Sequence, residues 1–319
     1  MNKILIDGMA FAMPLLIMAI GGIFSEKSGI TNLAVEGFQG VGGFCGAVIA
    51  VLLMPVLGET NPNVFYLAML AAFVGGAIYA CLHAVLCINF KANQIISGVV
   101  INIVAEALTI FLTSIINAKI TGGASNKFSL APLSKVTVPV ISKIPVLGAL
   151  FQEMYYFELI IIGIVVICWY VMYKSRFGMR LRACGENPQA VAAAGGNVAR
   201  TRFISVMISG GLSGIGGICF AYSIATQYSP SIYMGFGYLA IAAMIFGNWN
   251  IPSTVAVCLF FGLARSGGYQ LCLKMGLPSM FSDLFLLLPY ILTLLLLVFF
   301  SKKNHPPKAC GEIYDPGKR

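Results

Sequence analysis

Long apolar runs separated by short polar stretches dominate the pattern of this chain. A bilayer core about 30 Å thick is crossed by about 20 apolar residues in a helix that rises about 1.5 Å per residue. Runs of this kind predict an all-α, polytopic membrane protein. Nine apolar segments are present, at about 9–24, 34–57, 64–88, 95–117, 156–173, 203–226, 236–249, 252–273 and 284–300.

The seventh segment, 236–249, is shorter than the others. Fourteen helical residues reach only about 21 Å, so we expect a half-spanning or re-entrant element, and eight or nine crossings are both compatible with the pattern. The first segment is followed by Ser-Glu-Lys-Ser-Gly at 25–29 and lacks a small-x-small cleavage site. It therefore indicates a first membrane helix rather than a signal peptide.

Composition supports the membrane assignment. The 319 residues are 59% hydrophobic and 10% charged, with a mean hydropathy of +0.90, whereas a soluble domain carries about 25% charged residues. We therefore predict one transmembrane domain over 1–319. The net charge of +9 raises the question of nucleic acid. The cations cluster at the ends of apolar runs, however, which indicates membrane orientation and no nucleic-acid partner.

The basic residues predict which loops face the cytoplasm. Loop 174–202 holds five of the seven arginines, and the tail 301–319 holds five further cations. Cytoplasmic loops are enriched in Lys and Arg, so both should lie inside, as should 89–94. Counting crossings then places 58–63 and the long loop 118–155 outside, with 118–155 folded onto the outer surface.

Small residues are dense within several segments. Gly42 and Gly46 have small-xxx-small spacing, as do Gly210 and Gly214. Such spacing lets helix backbones approach closely in membranes, so we expect these glycines to serve helix packing.

No catalytic motif is present. The chain lacks G-x-x-x-x-G-K-[ST], H-E-x-x-H and G-x-S-x-G, and its nine cysteines and two histidines show no metal-ligand spacing. We therefore predict no catalytic residue, no metal site and no cofactor in this chain. The absence of a polar catalytic set at membrane depth also disfavours an intramembrane enzyme.

The loop between the fifth and sixth apolar segments contains the helix pattern "ENPQAVAAAGG" at 186–196. Asn187 is suited to the N-cap, Pro188 to the first turn, and Gly195 with Gly196 to the end of a two-turn helix. An ordinary connecting loop is the alternative, but a connector rarely needs a cap, a proline start and a double-glycine stop together.

Four stretches carry a family resemblance. "RACGENPQAVAAAGGNVARTR" resembles the cytoplasmic coupling-helix motif of bacterial ABC-importer permeases of the branched-chain amino acid, monosaccharide and nucleoside class. "EKSGITNLAVEGFQGVGGF" at 26–44 resembles the SG-x-x-N-hydrophobic-x-x-EG motif of that class. "NQIISGVVINIVA" at 93–105 and "GFGYLAIAAMIFGNWN" at 235–250 are similar to its nucleoside branch, whose permeases work with basic membrane lipoproteins.

The resemblance implies a permease subunit of an importer in the bacterial cytoplasmic membrane. It implies a second, homologous permease, a cytoplasmic ATPase that binds ATP and Mg, and an extracytoplasmic substrate-binding lipoprotein. The implied cargo is a nucleoside, with riboflavin, a sugar or another small ligand as alternatives. The residues expected to couple to the ATPase are Gly185, Glu186, Asn187, Pro188, Gln189, Ala193, Gly195 and Gly196.

Two pairs of polar residues interrupt apolar segments at helical spacing. Asn32 and Glu36 lie four residues apart, and Asn102 and Glu106 repeat this spacing in the fourth segment. Polar groups at membrane depth are costly and usually face a cavity or a partner, and Asn and Glu bind the hydroxyls and base edges of a nucleoside. We predict a substrate path that includes these four residues with Phe38 and Gln39. Structural hydrogen bonding of Glu36 and Glu106 is the alternative.

Three further residues lie at segment ends. Asp283 is expected to start a helix, whereas Trp249 and Tyr269 are expected to be interfacial anchors. A self-sufficient secondary transporter is the rival class of function, but it would show inverted internal repeats, and no repeat is apparent.

Overall fold

The computed structural model describes residues 2–59, 61–121, 123, 125–137, 152–231, 235–276, 287, 289–291, 304–315 and 317. Its architecture is all-α, as predicted. Ten α-helices lie within residues 2–276 of the described chain: α1 Asn2–Lys27, α2 Val35–Leu57, α3 Pro62–Ala84, α4 Gln94–Thr121, α5 Tyr156–Lys174, α6 Arg176–Glu186, α7 Pro188–Ala193, α8 Val198–Phe220, α9 Phe236–Phe246 and α10 Ile251–Lys274.

Short irregular elements complete the described fold. Helices α3 and α8 each continue into a π-helical turn, at Val85–Asn89 and Ala221–Ala225. Four two-residue strands form two antiparallel pairs, β1 Phe128–Ser129 with β4 Gln227–Tyr228 and β2 Lys135–Val136 with β3 Met154–Tyr155.

Seven helices in the described part of the chain are long and apolar enough to cross a membrane: α1, α2, α3, α4, α5, α8 and α10. They correspond to the first six predicted segments and the eighth, which are confirmed as helices. Asp283 lies outside the described residues, and so does the ninth segment, 284–300, except for 287 and 289–291. The total number of crossings therefore stays a prediction.

The helices alternate in direction between two ends of the bundle. The basic end carries Ser28–Ala34, the arginine-rich residues 175–197 and the segment 304–315, whose Ala309 amide donates to the Gly185 carbonyl at 2.8 Å. The opposite end, the hairpin end, carries residues 58–61 and the described part of loop 118–155. There Asn61, Leu133 and Tyr156 line one small cavity. The tail and the arginine-rich loop therefore share one end, as the charge pattern predicted.

Close backbone packing holds α2, α3 and α8 together. A Cβ atom built on Gly42 would lie well inside the van der Waals radius of Gly214, and one on Gly214 would collide with the Ala72 carbonyl. Gly76 and Gly210 block each other in the same way. These contacts confirm the packing role predicted for the small residues, because only hydrogen atoms fit between the backbones.

Helix α9 is the element that departs most from a regular span. Its 11 residues rise about 16 Å, roughly half of a bilayer core. It ends at the basic end, where Asn248 accepts a hydrogen bond from the His305 amide at 2.8 Å. The seventh segment is thus a half-length helix, one of the two forms predicted for it.

Two local predictions were wrong. Residues 176–186 form helix α6, although the sequence indicated only a loop there; the short apolar face of Phe177, Leu181 and Cys184 was the signal missed, because arginines surround it. Trp249 is buried, and its indole Nε1 donates to the Glu26 carboxylate at 2.5 Å, so it is not an interfacial anchor.

We expect Gly214→Val to destabilise the protein by about 1–3 kcal/mol, because the added side chain must force α2, α3 and α8 apart. Gly163→Val is the matched control, since a Cβ at Gly163 in α5 meets no atom within 4 Å. The measurement is thermal unfolding and the monodisperse fraction in detergent. Equal behaviour of the two variants would contradict the packing assignment.

Candidate functional site

A cavity of about 250 Å³, which we call the central cavity, lies between α2, α4, α9 and the segment that contains β4. Four of the six predicted substrate-path residues line it: Glu36, Gln39, Asn102 and Glu106. Its other lining residues include Ile103, Thr109, Tyr228, Pro230 and Tyr238. The structure therefore brings together polar residues that lie up to 200 positions apart in the sequence.

Glu36 closes the start of helix α9. Its Oε1 accepts a hydrogen bond from the Gly235 amide and its Oε2 one from the Gly237 amide, both at 2.6 Å. The first N–H groups of a helix have no intrahelical partner and carry the positive end of the helix dipole, so a carboxylate is the natural group to satisfy them. Both carboxylate oxygens are thus engaged by the chain's own backbone.

Glycine is required at this contact. Gly235 has a φ of +97°, in the region that favours glycine. A Cβ atom on Gly237 would lie 2.6 Å from the backbone nitrogen and Cα of Glu36. The sequence "GFG" at 235–237 is what allows α9 to begin directly on the carboxylate.

Asn102 joins α4 to the same region. Its Oδ1 accepts from the Gly37 amide at 2.7 Å, and its Nδ2 donates to the Leu33 carbonyl at 2.8 Å and to the Tyr238 hydroxyl at 3.0 Å. The side chain therefore fixes the start of α2 against α4 and α9. Asn102 is only 9% exposed, but it lines the central cavity and holds one of its hydroxyl groups in place.

Asn32 and Phe38 are not among the lining residues. Asn32 is fully buried, donates to Ser209 Oγ at 2.7 Å and accepts from the Ala34 amide at 3.1 Å, so it ties the turn before α2 to α8. Phe38 is fully buried against Tyr79 and His83. Both residues therefore have packing contacts, Phe38 against α3 and Asn32 in the turn before α2, and their place on a substrate path stays a prediction.

Sequence reasoning missed the aromatic side of the cavity. Tyr228 donates to the Gly40 carbonyl at 2.8 Å. Tyr238 directly follows Gly237, which with Gly235 donates to the Glu36 carboxylate; we call this pair of hydrogen bonds the clamp. Thr109 extends the row begun by Asn102 and Glu106 along α4, at spacings of four and three residues. That continued spacing was the available signal for Thr109, whereas nothing local marks the tyrosines.

The predicted short helix is present at the basic end. Asn187 accepts a hydrogen bond from the Ala190 amide at 3.0 Å as the N-cap of α7, and Pro188 occupies the first turn. Gly195 has a φ of +79°, and the Gly196 amide donates to the Val191 carbonyl at 2.8 Å. Each predicted start and stop residue therefore has its expected local role.

The eight residues predicted to couple to an ATPase differ in exposure. Gly185 and Pro188 are buried and Gly196 is half-buried, so these three support the chain's own fold. The outward surface consists of Glu186, Asn187, Gln189, Ala193 and Gly195. A groove of about 760 Å³ beside α7 extends this surface with Phe177, Met179, Arg180 and Arg200.

Residues 304–315, which we call the strap, pack across the basic end of the bundle. The Ala309 amide donates to Gly185, and the Gly311 amide donates to Gly29 at 3.2 Å. Cys310 lies with its thiol 3.4 Å from the Thr31 hydroxyl, and burial raises the pKa of this thiol to about 12. The strap therefore connects the end of α6 to the turn that precedes α2.

Arg202 anchors the strap. It is 2% exposed, and its guanidinium donates to the Ser28 carbonyl at 3.0 Å and to the Glu312 carbonyl at 3.1 Å. Tyr314 covers the guanidinium at 6.0 Å and packs on the small apolar cluster of Cys184, Val191 and Val198. One buried arginine thus holds α1, α8 and the strap together.

Among the described residues, no group of three His, Cys, Asp or Glu side chains is placed to hold a metal ion.

The sequence model of the family described as "Branched-chain amino acid transport system / permease component" matches residues 4–297. The chain belongs to this permease family. The match covers every helix described above, so the central cavity and the basic-end surface are parts of a permease.

Two relatives are similar to this permease over almost its whole length. The guanosine ABC transporter permease protein NupQ of Bacillus subtilis is 37% identical over 315 residues, covering 98% of this chain and 96% of the relative. The nucleoside ABC transporter permease protein NupC of Lactococcus lactis is 36% identical over 313 residues, covering 97% and 95%.

A more distant relative comes from the same organism as NupQ. The guanosine ABC transporter permease protein NupP of Bacillus subtilis is 23% identical over 279 residues, covering 85% of this permease and 75% of the relative. No solved structure matches the permease significantly.

We expect Gly237→Ala to disrupt the permease, because its methyl group would displace Glu36 from the start of α9. Gly40→Ala is the matched control: Gly40 lines the same cavity, but a Cβ there meets no atom within 4 Å. Thermal stability and transport should fall for Gly237→Ala alone. A Gly237→Ala protein as stable and active as Gly40→Ala would show that the clamp is dispensable.

Proposed function

We propose that this permease is the membrane subunit of an ATP-driven importer that moves nucleosides into the cell through the central cavity. The observation that carries the proposal is the polar lining of a cavity enclosed by apolar helices. The names of NupQ and NupC, which this chain matches over nearly full length, support the nucleoside assignment.

The lining residues suit a nucleoside chemically. Glu106 is half-buried and is an acceptor for ribose hydroxyls or base amino groups, while Gln39 and Thr109 can both donate and accept. Tyr238, which is 47% exposed, supplies ring surface for a planar base, while the buried Tyr228 closes the cavity behind it. Glu36 has both oxygens bound to backbone amides, so we assign it a positioning role rather than direct binding.

Energy for transport comes from a partner in this proposal. A cytoplasmic ATPase binds ATP and Mg and docks on the outward surface of α7 and the adjacent groove. Arg180 and Arg200 lie in that groove, which suits an acidic partner surface. The excess of arginine at the basic end supports a cytoplasmic position for it.

The remaining partners are a second permease and an external lipoprotein. NupQ and NupP are two different permeases of one organism and carry the same substrate in their names, which supports a non-identical partner for this chain. The lipoprotein would deliver substrate at the hairpin end. This arrangement places the importer in the bacterial cytoplasmic membrane.

The substrate path is tested by radiolabelled guanosine uptake. We expect Glu106→Leu to lower uptake about tenfold while the complex still assembles, because it removes one charge-assisted hydrogen bond worth about 1.5–3 kcal/mol. Ile103→Leu, in the same cavity and of equal volume, should leave uptake unchanged. Unchanged uptake in assembled Glu106→Leu would remove this cavity from the path. Absence of nucleoside uptake by the wild-type complex with its lipoprotein would reject the substrate class.

Coupling is tested at Ala193, which is exposed on α7. Ala193→Trp adds bulk to the proposed docking surface, so ATPase association or substrate-stimulated ATP hydrolysis should fall at least severalfold while membrane insertion persists. Ala193→Ser adds almost no bulk and should behave as the wild type. If stimulated hydrolysis were the same in all three proteins, α7 would not be the docking element.

A further inference from the structure

A second polar cavity, which we call the hairpin-end cavity, has a volume of about 330 Å³. It lies between α1, α10, the π-turn after α8 and the β2–β3 pair. Small-molecule sites typically measure about 300–1,000 Å³, so it is large enough for a small ligand. Its polar lining residues are Asp7, Lys135, Tyr155, Ser223, Arg265, Ser266 and Tyr269.

Two serine hydroxyl groups of this cavity are buried without partners among the described residues. Ser266 is 7% exposed, and neither its Oγ nor that of Ser223 has a hydrogen-bond partner within the described part of the chain. A buried polar group that lacks a partner costs about 1–3 kcal/mol. A ligand with hydroxyl or amino groups would recover that cost.

One acidic and two basic side chains, Asp7, Lys135 and Arg265, face the same space, and Asp7 interacts electrostatically with Arg265. Asp7 and Arg265 both line the cavity, and neither forms an ion pair with any residue that the structure describes. The Arg265 guanidinium lies 4.3 Å from the centre of the Phe11 ring. A carboxylate and a guanidinium that share a cavity suit a ligand carrying both donors and acceptors better than a simple anion.

Phe236 places this cavity next to the central one. Its ring centre lies 5.3 Å from that of Phe11 and 5.8 Å from the Arg265 guanidinium, both on the hairpin-end side. The preceding residue, Gly235, lines the central cavity. The first turn of α9, held by Glu36, is therefore the boundary between the two cavities.

We propose that the hairpin-end cavity is a second nucleoside-binding site, which a nucleoside occupies before it passes Phe236 into the central cavity. The assignment rests on the proposed function of the permease. Arg265 donates to acceptors on the base, as arginine does to guanine O6 and N7, and Asp7 accepts from ribose hydroxyls or an amino group. Tyr269, which is 42% exposed, offers ring surface on which a base can stack, whereas the Tyr155 ring is already stacked on Phe157 and covered by the Lys135 ammonium.

The test is cysteine labelling at Ser266 in the purified transporter complex, held in nanodiscs without the binding lipoprotein and with the nine native cysteines replaced. Ser266→Cys should react with a water-soluble methanethiosulfonate reagent, and guanosine should slow the reaction. Ser134→Cys is the control, because Ser134 is exposed at the same end and outside this cavity. It should react at one rate with and without guanosine.

Two charge variants in the Ser266→Cys background identify the ligand contacts. Asp7→Asn and Arg265→Gln should each raise the half-protecting guanosine concentration about tenfold, which corresponds to about 1.4 kcal/mol. Lys3→Gln, an exposed change on the same helix, should leave it unaltered.

Several results would overturn the proposal. One is the absence of labelling at Ser266→Cys, and another is a labelling rate that guanosine leaves unchanged. A third is protection by inorganic phosphate or by phosphatidylglycerol in the nanodisc but not by guanosine, because this would indicate a phosphate site. Nucleoside uptake by the wild-type complex distinguishes failure of the second site from failure of the proposed function. Nucleoside uptake without protection would reject only this second site, whereas no nucleoside uptake would reject the proposed function as well.

Discussion

A helix that begins inside a bilayer must find acceptors for its first amide groups, and Glu36 supplies them for α9. Without that carboxylate, a half-length helix at this depth would bury donors in hydrocarbon. The clamp in turn decides where the central cavity lies, because it fixes Tyr238 beside Asn102. It also sets Phe236 against Phe11, at the edge of the second cavity. The arrangement of both cavities therefore depends on two hydrogen bonds from glycine amides.

Two kinds of contact hold the rest of the bundle: close backbone packing between helices, and hydrogen bonds through the strap. Backbone contacts at Gly42, Gly76 and Gly214 leave α2, α3 and α8 no room to slide. At the basic end, by contrast, α6 is joined to the rest through the strap, by the pairs Gly185–Ala309 and Gly29–Gly311. The turn held by Gly29 leads within seven residues to Glu36. These contacts form a continuous physical connection between α7 and the start of α9.

Much of the fold was predictable because its determinants are local. Apolar runs marked seven spans, and Asn187, Pro188 and the double glycine marked α7. The spacing of Asn102 and Glu106 placed both on one face of α4, and both line the cavity. What the sequence could not reveal depends on long-range contacts. The packing of Phe38 on α3 and the pairing of Phe128 with Tyr228 become visible only when distant segments meet. The hydrogen bond of Glu36 with the Gly235 amide, 199 residues away, is another such long-range contact.

The strap also constrains the order of events during biosynthesis. Arg202 is covered by Glu312 and Tyr314, and Gly185 receives its hydrogen bond from Ala309. All of these partners leave the ribosome more than 100 residues after the groups they satisfy. Until then, the Arg202 guanidinium and the end of α6 remain open to water. The membrane helices can therefore insert and pack while the surface at the basic end is still incomplete.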